Sequence, residues 1–116
     1  MTLEEARKII DAEVIVGADL MNRQIKMACG SDLMSDVLSL VKSDYLLLTG
    51  LTNPQVVRTA EMTDLAAICF VRGKRPDEDT IKIAEAKSIP LMTTPVSMFE
   101  ACGRLWKQGL RGFPGK

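Results

Sequence analysis

The sequence predicts a single α/β domain: a mostly parallel sheet flanked by helices, built from about four strand–helix (βα) units. Three observations carry this. Short apolar runs recur at Ile25–Cys29, Tyr45–Thr49, Ala66–Val71 and Pro90–Thr93, each followed by a helix-length segment. That spacing leaves room for a crossover helix, and strands joined through crossovers run parallel. Leu46–Leu48 and Ala66–Val71 are apolar without alternation, as in strands covered on both faces.

The elements follow in order. Thr2 and Glu5 have capping-box spacing, and Leu3, Ala6, Ile9 and Ile10 form the apolar stripe of a first helix. Glu13–Val16 reads as a short extended segment ended by Gly17, and residues 18–24 as a loop. After the strand at 25–29, Gly30 and Ser31 turn the chain into a helix from Asp32 to about Lys42. The strand at 45–49 leads through Gly50 to a helix capped by Asn53, with Pro54 suited to its first position. The strand at 66–71 leads through Arg72–Pro76 to a helix from about Asp77 to Lys87. The last strand, 90–93, is followed by a helix with a second capping-box spacing, Ser97 and Glu100, that Gly109 stops. Residues 111–116 read as a frayed tail of one domain spanning 1–116.

Composition narrows the function. The chain has 116 residues, enough to bury roughly two thirds of its unfolded surface. Fifteen basic residues balance fifteen acidic ones, so no global field draws nucleic acid or an anionic membrane. The acidic, helix-forming start is unlike a signal peptide, and no apolar run nears the roughly 20 residues of a membrane span. Cys29, Cys69 and Cys102 form no C-x-x-C pair, and each lies among apolar residues. Packed, reduced thiols and a cytoplasmic location are expected. With no histidine, the commonest general base and metal ligand is missing. Neither a P-loop nor a G-x-G-x-x-G is present, and no catalytic or metal-binding residue is assigned. Asp32 and Asp36, four apart, are expected to share an exposed helix face. Most of the seven methionines, Met34, Met62 and Met98 among them, are expected to fill the core.

In open parallel sheets ligands bind beyond the carboxyl ends of the strands. Here those ends carry Ser31 and Asp32; Thr49, Gly50, Thr52 and Asn53; Arg72, Gly73 and Arg75; and Thr93, Thr94 and Ser97. Hydroxyls at helix starts, free N–H groups and the basic cluster Arg72–Arg75 together suit a phosphate or carboxylate. The competing reading is that Ser31, Asn53 and Ser97 are caps and that Asp77 and Glu78 neutralise the basic turn.

Three segments carry a family resemblance: Gly30–Val37, Val71–Ile81, and Pro90–Thr94 with Ser97, Phe99 and Glu100. Together they resemble the DRTGG domain family over nearly the whole chain. Val14–Gly17 through Ile25 resembles the start of the HPr kinase N-terminal domain, so the resemblance implies an HPr kinase N-terminal/MurF-like type of fold. It also implies a regulatory or accessory module without a catalytic centre, found beside CBS domains in regulated pyrophosphatases, in phosphotransacetylases, and as stand-alone proteins, some in hydrogenase-related gene neighbourhoods. The sequence departs from the motif that names the family. Leu51 and Thr52 replace its aspartate and arginine, and Val71-Arg72-Gly73 replaces T-G-G. The expected function is thus a non-enzymatic regulatory or protein-interaction module, pairing with itself as a homodimer or with another protein. The alternative is a sensor that binds an adenine nucleotide or another anion at the strand-end loops.

Overall fold

In the computed structural model, which describes residues 1–113, the periodic pattern resolves into five strands and five α-helices. Helix α1 (Leu3–Ile9) leads to strand β1 (Glu13–Val16). A 3-10 turn (Ala18–Leu20), absent from the sequence reading of that loop, precedes β2 (Met27–Gly30). Then α2 (Met34–Leu40), β3 (Tyr45–Thr49), α3 (Pro54–Thr63), β4 (Ala67–Phe70), α4 (Glu78–Lys87), β5 (Leu91–Thr93) and α5 (Met98–Lys107) alternate.

The sheet order is β1-β5-β4-β3-β2. Strands β2 to β5 are parallel, and β1 joins β5 antiparallel with a register shift between Val14 and Val16. The four predicted βα units are therefore present. Side chains alternate between two apolar clusters, one on each face of the sheet. On one face Leu46, Leu48, Cys69 and Met92 pack against Leu3 and Ala6 of α1, Ile10 at its C-cap, and Ala101 and Leu105 of α5. On the other, Leu47, Ile68, Phe70 and Leu91 pack against α2, α3 and α4 through residues such as Val37, Val57 and Ala84. Every residue of β3 and β4 is buried, which explains their unbroken apolar runs.

Local chemistry sets several boundaries. The first capping box forms on both sides: Glu5 N donates to Thr2 Oγ1 and Thr2 N to Glu5 Oε1, each at 3.1 Å. The second forms on one side only. Ser97 Oγ accepts from Glu100 N at 3.2 Å, but the Glu100 carboxylate turns to Arg104 at 2.9 Å. Asn53 holds the N-cap position of α3 without a side-chain hydrogen bond. Helix α2 starts at Met34, not Asp32, so Asp32 and Asp36 do not share a helix face. Met34 is buried and Met98 half-buried, as core filling requires, but Met62 is exposed. Trp106 is 59% exposed, while Leu105 beside it is buried. Arg111 is not frayed: its carbonyl accepts from Ala28 N at 2.9 Å, and it makes a parallel bridge to Met27. The rest of the expected tail, 114–116, lies outside the described residues.

Candidate functional site

The strand order decides where a ligand crevice would open. Strand β4 feeds α4 on one face, and β5 feeds α5 on the other, so the chain diverges between their carboxyl ends. The loops meet there, but they close the gap on each other. Val71-Arg72-Gly73-Lys74 is a tight turn, with φ of 59° at Arg72 and 68° at Gly73. Lys74 N returns to Val71 O at 3.2 Å, as in a type I′ turn. The two central N–H groups, which would otherwise face a ligand, donate to the next loop: Arg72 N to Val96 O at 2.9 Å and Gly73 N to Thr94 O at 2.7 Å. Thr93 Oγ1 donates to Lys74 O at 2.6 Å, and Thr94 Oγ1 donates to Ile10 O.

The neighbouring strand ends are filled in the same way. Asp32 points back to β3, where one carboxylate oxygen accepts from Thr49 Oγ1 at 2.9 Å and Gly50 N at 2.6 Å. Ser31 Oγ accepts from Leu33 N at 3.1 Å in a local turn. Lys74 Nζ donates to Gly50 O at 3.1 Å, and the Thr80 hydroxyl, whose proton goes to Asp77 at 2.7 Å, lies 3.2 Å from Thr52 O. Arg75 leaves the cluster for Glu13 at 2.7 Å. Asp77 and Glu78 therefore do not neutralise the basic turn. Asp77 instead caps α4, accepting from Thr80 N at 2.8 Å, and the hydrogen bonds from Thr80 hold its carboxyl below the usual 3.8.

The twelve sequence candidates thus lie along one edge, and most of their polar groups already have partners within the protein. Two remain outward. The Asn53 amide makes no cap, and the exposed Arg72 guanidinium lies with the Asp32 carboxylate over Gly50. The concave surfaces lie at the opposite, amino end of the parallel strands, as in a cavity of about 430 Å³ lined by residues including Val14, Gly17, Glu85 and Ser88. Another, of about 420 Å³, includes Tyr45 and Phe113.

The thiols are poor nucleophiles. Burial pushes Cys69 up to about 12, and burial likewise raises Cys29 and Cys102. Cys102 has a close neighbour that sequence reading missed: a Cβ on Gly30 would lie 2.8 Å from Cys102 Sγ. Glycine is needed at Gly30 because α5 passes directly over the end of β2.

Architecture and edge together define a class: a three-layer α/β domain whose strand-end loops are bound to each other. The profile of the DRTGG domain family matches residues 5–107, and the chain belongs to that family. A search of curated proteins finds no match. Among solved structures, the chain is similar to the CBS and DRTGG domains of the regulatory region of Clostridium perfringens pyrophosphatase, complexed with the activator diadenosine tetraphosphate. That similarity has a TM-score of 0.66 at 13% identity, over 90% of this chain and 45% of that one.

Membership gives the Arg72 turn a meaning. In the register read from the sequence, Arg72 and Gly73 take the places of the two glycines of the T-G-G motif, Val71 that of its threonine and Leu51 that of the aspartate. Both have positive φ, the conformation glycine enters without a Cβ penalty. Val71, at the threonine position, is buried in the α1/α5 cluster. Leu51, at the aspartate position, packs against the α2/α3/α4 cluster. Here the motif residues serve turn and packing.

Proposed function

We propose that this chain is a non-catalytic regulatory module that works by contact with another polypeptide. One observation carries the reading: the strand-end loops, where α/β proteins usually receive ligands, satisfy each other. Raised thiol pKa values and the missing histidine support the non-catalytic part. The reading places the module in the cytoplasm, free of nucleic acid and membrane. No helix is long and apolar enough to cross a bilayer among the described residues, and the formal net charge is zero.

A second reading has a specific observation behind it. Arg72 is an exposed, non-glycine residue in the left-handed region, where glycine would cost less. A guanidinium kept there, over Gly50, suits an anion, and the pyrophosphatase relative was captured with an adenine dinucleotide. In this reading the module is a small-molecule sensor.

Equilibrium unfolding decides between them. The chain is unfolded with and without diadenosine tetraphosphate, AMP, ATP, inorganic phosphate and simple carboxylates. The contact reading expects no stabilisation and no turnover of any compound. A ligand at about 100 times its Kd would add roughly 2.7 kcal/mol. Such a rise, lost in Arg72→Ala, establishes the sensor instead. Steady consumption of any compound overturns both.

A further inference from the structure

The cavity of about 420 Å³ at the amino ends of β2 and β3 joins an apolar wall to a charged rim. Met27, Tyr45 and Phe113 make the wall; Lys26, Lys42 and Asp44 make the rim. Strand pairing builds the wall. Met27 stands opposite Tyr45 in the β2–β3 register, and both pack on the α2 side of the sheet. Phe113 arrives along the outer edge of β2, the last strand of the sheet. Arg111 bridges to Met27, and its carbonyl accepts from Ala28 N at 2.9 Å, which fixes the chain after α5 against that edge. Gly112 permits the approach, because a Cβ there would lie 3.2 Å from Ala28 O. Phe113 is thus brought to the cavity with half its surface still exposed.

Two polar groups here lack partners. Tyr45, the chain's one tyrosine, is only 6% exposed. A buried tyrosine normally finds a partner for its hydroxyl, yet this one makes no hydrogen bond among the described residues. The one side-chain oxygen sealed in the core without a partner, among those residues, is Thr59 Oγ1. The Tyr45 hydroxyl therefore reaches the surface, and the cavity is where Tyr45 opens onto it. On the rim, Lys26 pairs with Asp44 at 3.8 Å, and Lys42 has no ion pair among the described residues. Lys26 and Asp44 cancel, which leaves the Lys42 charge unopposed.

We propose that this cavity binds a small aromatic monocarboxylate. The ligand's ring lies against Phe113, Tyr45 and the Met27 thioether, all of which favour aromatic neighbours. Its carboxylate accepts the Tyr45 proton and sits near the Lys42 ammonium, one negative charge for one positive. The volume falls within the roughly 300–1,000 Å³ of small-ligand sites. The site lies at the opposite end of the sheet from Arg72, so it goes beyond both readings above and rests on neither. A ligand there would bridge the segment at Phe113 to β2 and β3.

Equilibrium dialysis of the full chain against phenylacetate, acetate and phenethylamine tests this at about pH 7, where carboxylates are ionised and amines protonated. Phenylacetate should bind at one site per chain. Acetate, which lacks the ring, and phenethylamine, which has the wrong charge, should bind at least about tenfold more weakly. Tyr45→Phe keeps the ring and removes the donor, and it should weaken phenylacetate about tenfold, as for a hydrogen bond to a charged group. Lys42→Glu, at an exposed position, should weaken it several-fold at low salt. Arg72→Ala should change nothing. Unchanged circular dichroism shows that each variant is folded. No binding of phenylacetate up to about 10 mM overturns the site. So does equal binding of phenethylamine, or indifference to both Tyr45→Phe and Lys42→Glu. Binding lost in Arg72→Ala overturns it too, and assigns the ligand to the strand-end loops. The contact reading is decided separately, by the unfolding experiment in which Arg72→Ala is the arbiter.

Discussion

At the scale of single residues, the decisive features are close approaches and bond partners. Gly30 is the sharpest case. Gly30→Ala would put a methyl group 2.8 Å from Cys102 Sγ, so the Cys102 side chain or α5 itself must shift. A loss of about 1–3 kcal/mol is expected in urea unfolding, as for other overpacked sites. Cys102→Ala in the same chain should recover much of it, because the two positions touch and their effects do not add. The thiols give a second test. At pH 8 a thiol reagent should modify all three cysteines slowly in the native state, and Cys69 most slowly, since its pKa of about 12 leaves almost no thiolate. Fast labelling of Cys69 in folded protein would contradict the buried β4 register.

Elements are held in place by their ends as much as by their faces. Asp77 starts α4 by accepting the backbone and hydroxyl protons of Thr80, and this lowers its pKa. The sign follows. A carboxyl whose folded pKa lies below its unfolded value adds stability above the unfolded value and loses it as pH falls through the folded one. Glu4 and Glu5 of α1 are lowered too, Glu4 chiefly by its hydrogen bond with Arg7 and Glu5 by that with the Thr2 backbone. Melting temperature should therefore fall as pH drops below about 4, near the unfolded carboxyl values. In Asp77→Asn the fall should be shallower, because asparagine caps without titrating. An identical acid profile in wild type and variant would show that the cap contributes nothing through its charge.

For the whole molecule, one sheet serves two cores. Leu47 and Leu48 are adjacent in β3 and both fully buried, yet they pack on opposite faces. Leu47→Ala and Leu48→Ala should each cost about 2–5 kcal/mol. Fluorescence of Trp106, on the α5 side, and far-ultraviolet circular dichroism should report the same midpoint for both variants, since neither layer has a sheet of its own. Separate transitions would mean that the layers unfold independently. The same topology separates the roles of the two ends of the sheet. The carboxyl edge is tied up in loop-to-loop bonds, cavities such as those beside Gly17 and Tyr45 lie at the amino edge, and exposed Phe99 and Trp106 lie on the outer face of α5.

The sequence by itself determined the alternation of elements, the parallel sheet and the hydroxyl caps at Thr2 and Ser97. Each of these is local: apolar period, glycine and proline boundaries, and a hydroxyl followed three residues later by a glutamate. It also carried the resemblance to the DRTGG family, because the motif segments are contiguous. Placing the candidate residues at one edge followed from topology and was legible too. Only the tertiary structure decided how those residues are used. Whether Asp32 caps its own helix or bonds Thr49 and Gly50, or whether Arg75 meets Asp77 or Glu13, depends on what lies beside each loop in space. The outward turn of Phe99 and Trp106 was hidden for the same reason. The helix has one polar flank, Glu100, Arg104 and Lys107, and an apolar arc too broad for the sheet to cover, and its contact with the sheet chose Ala101 and Leu105 as the inner side.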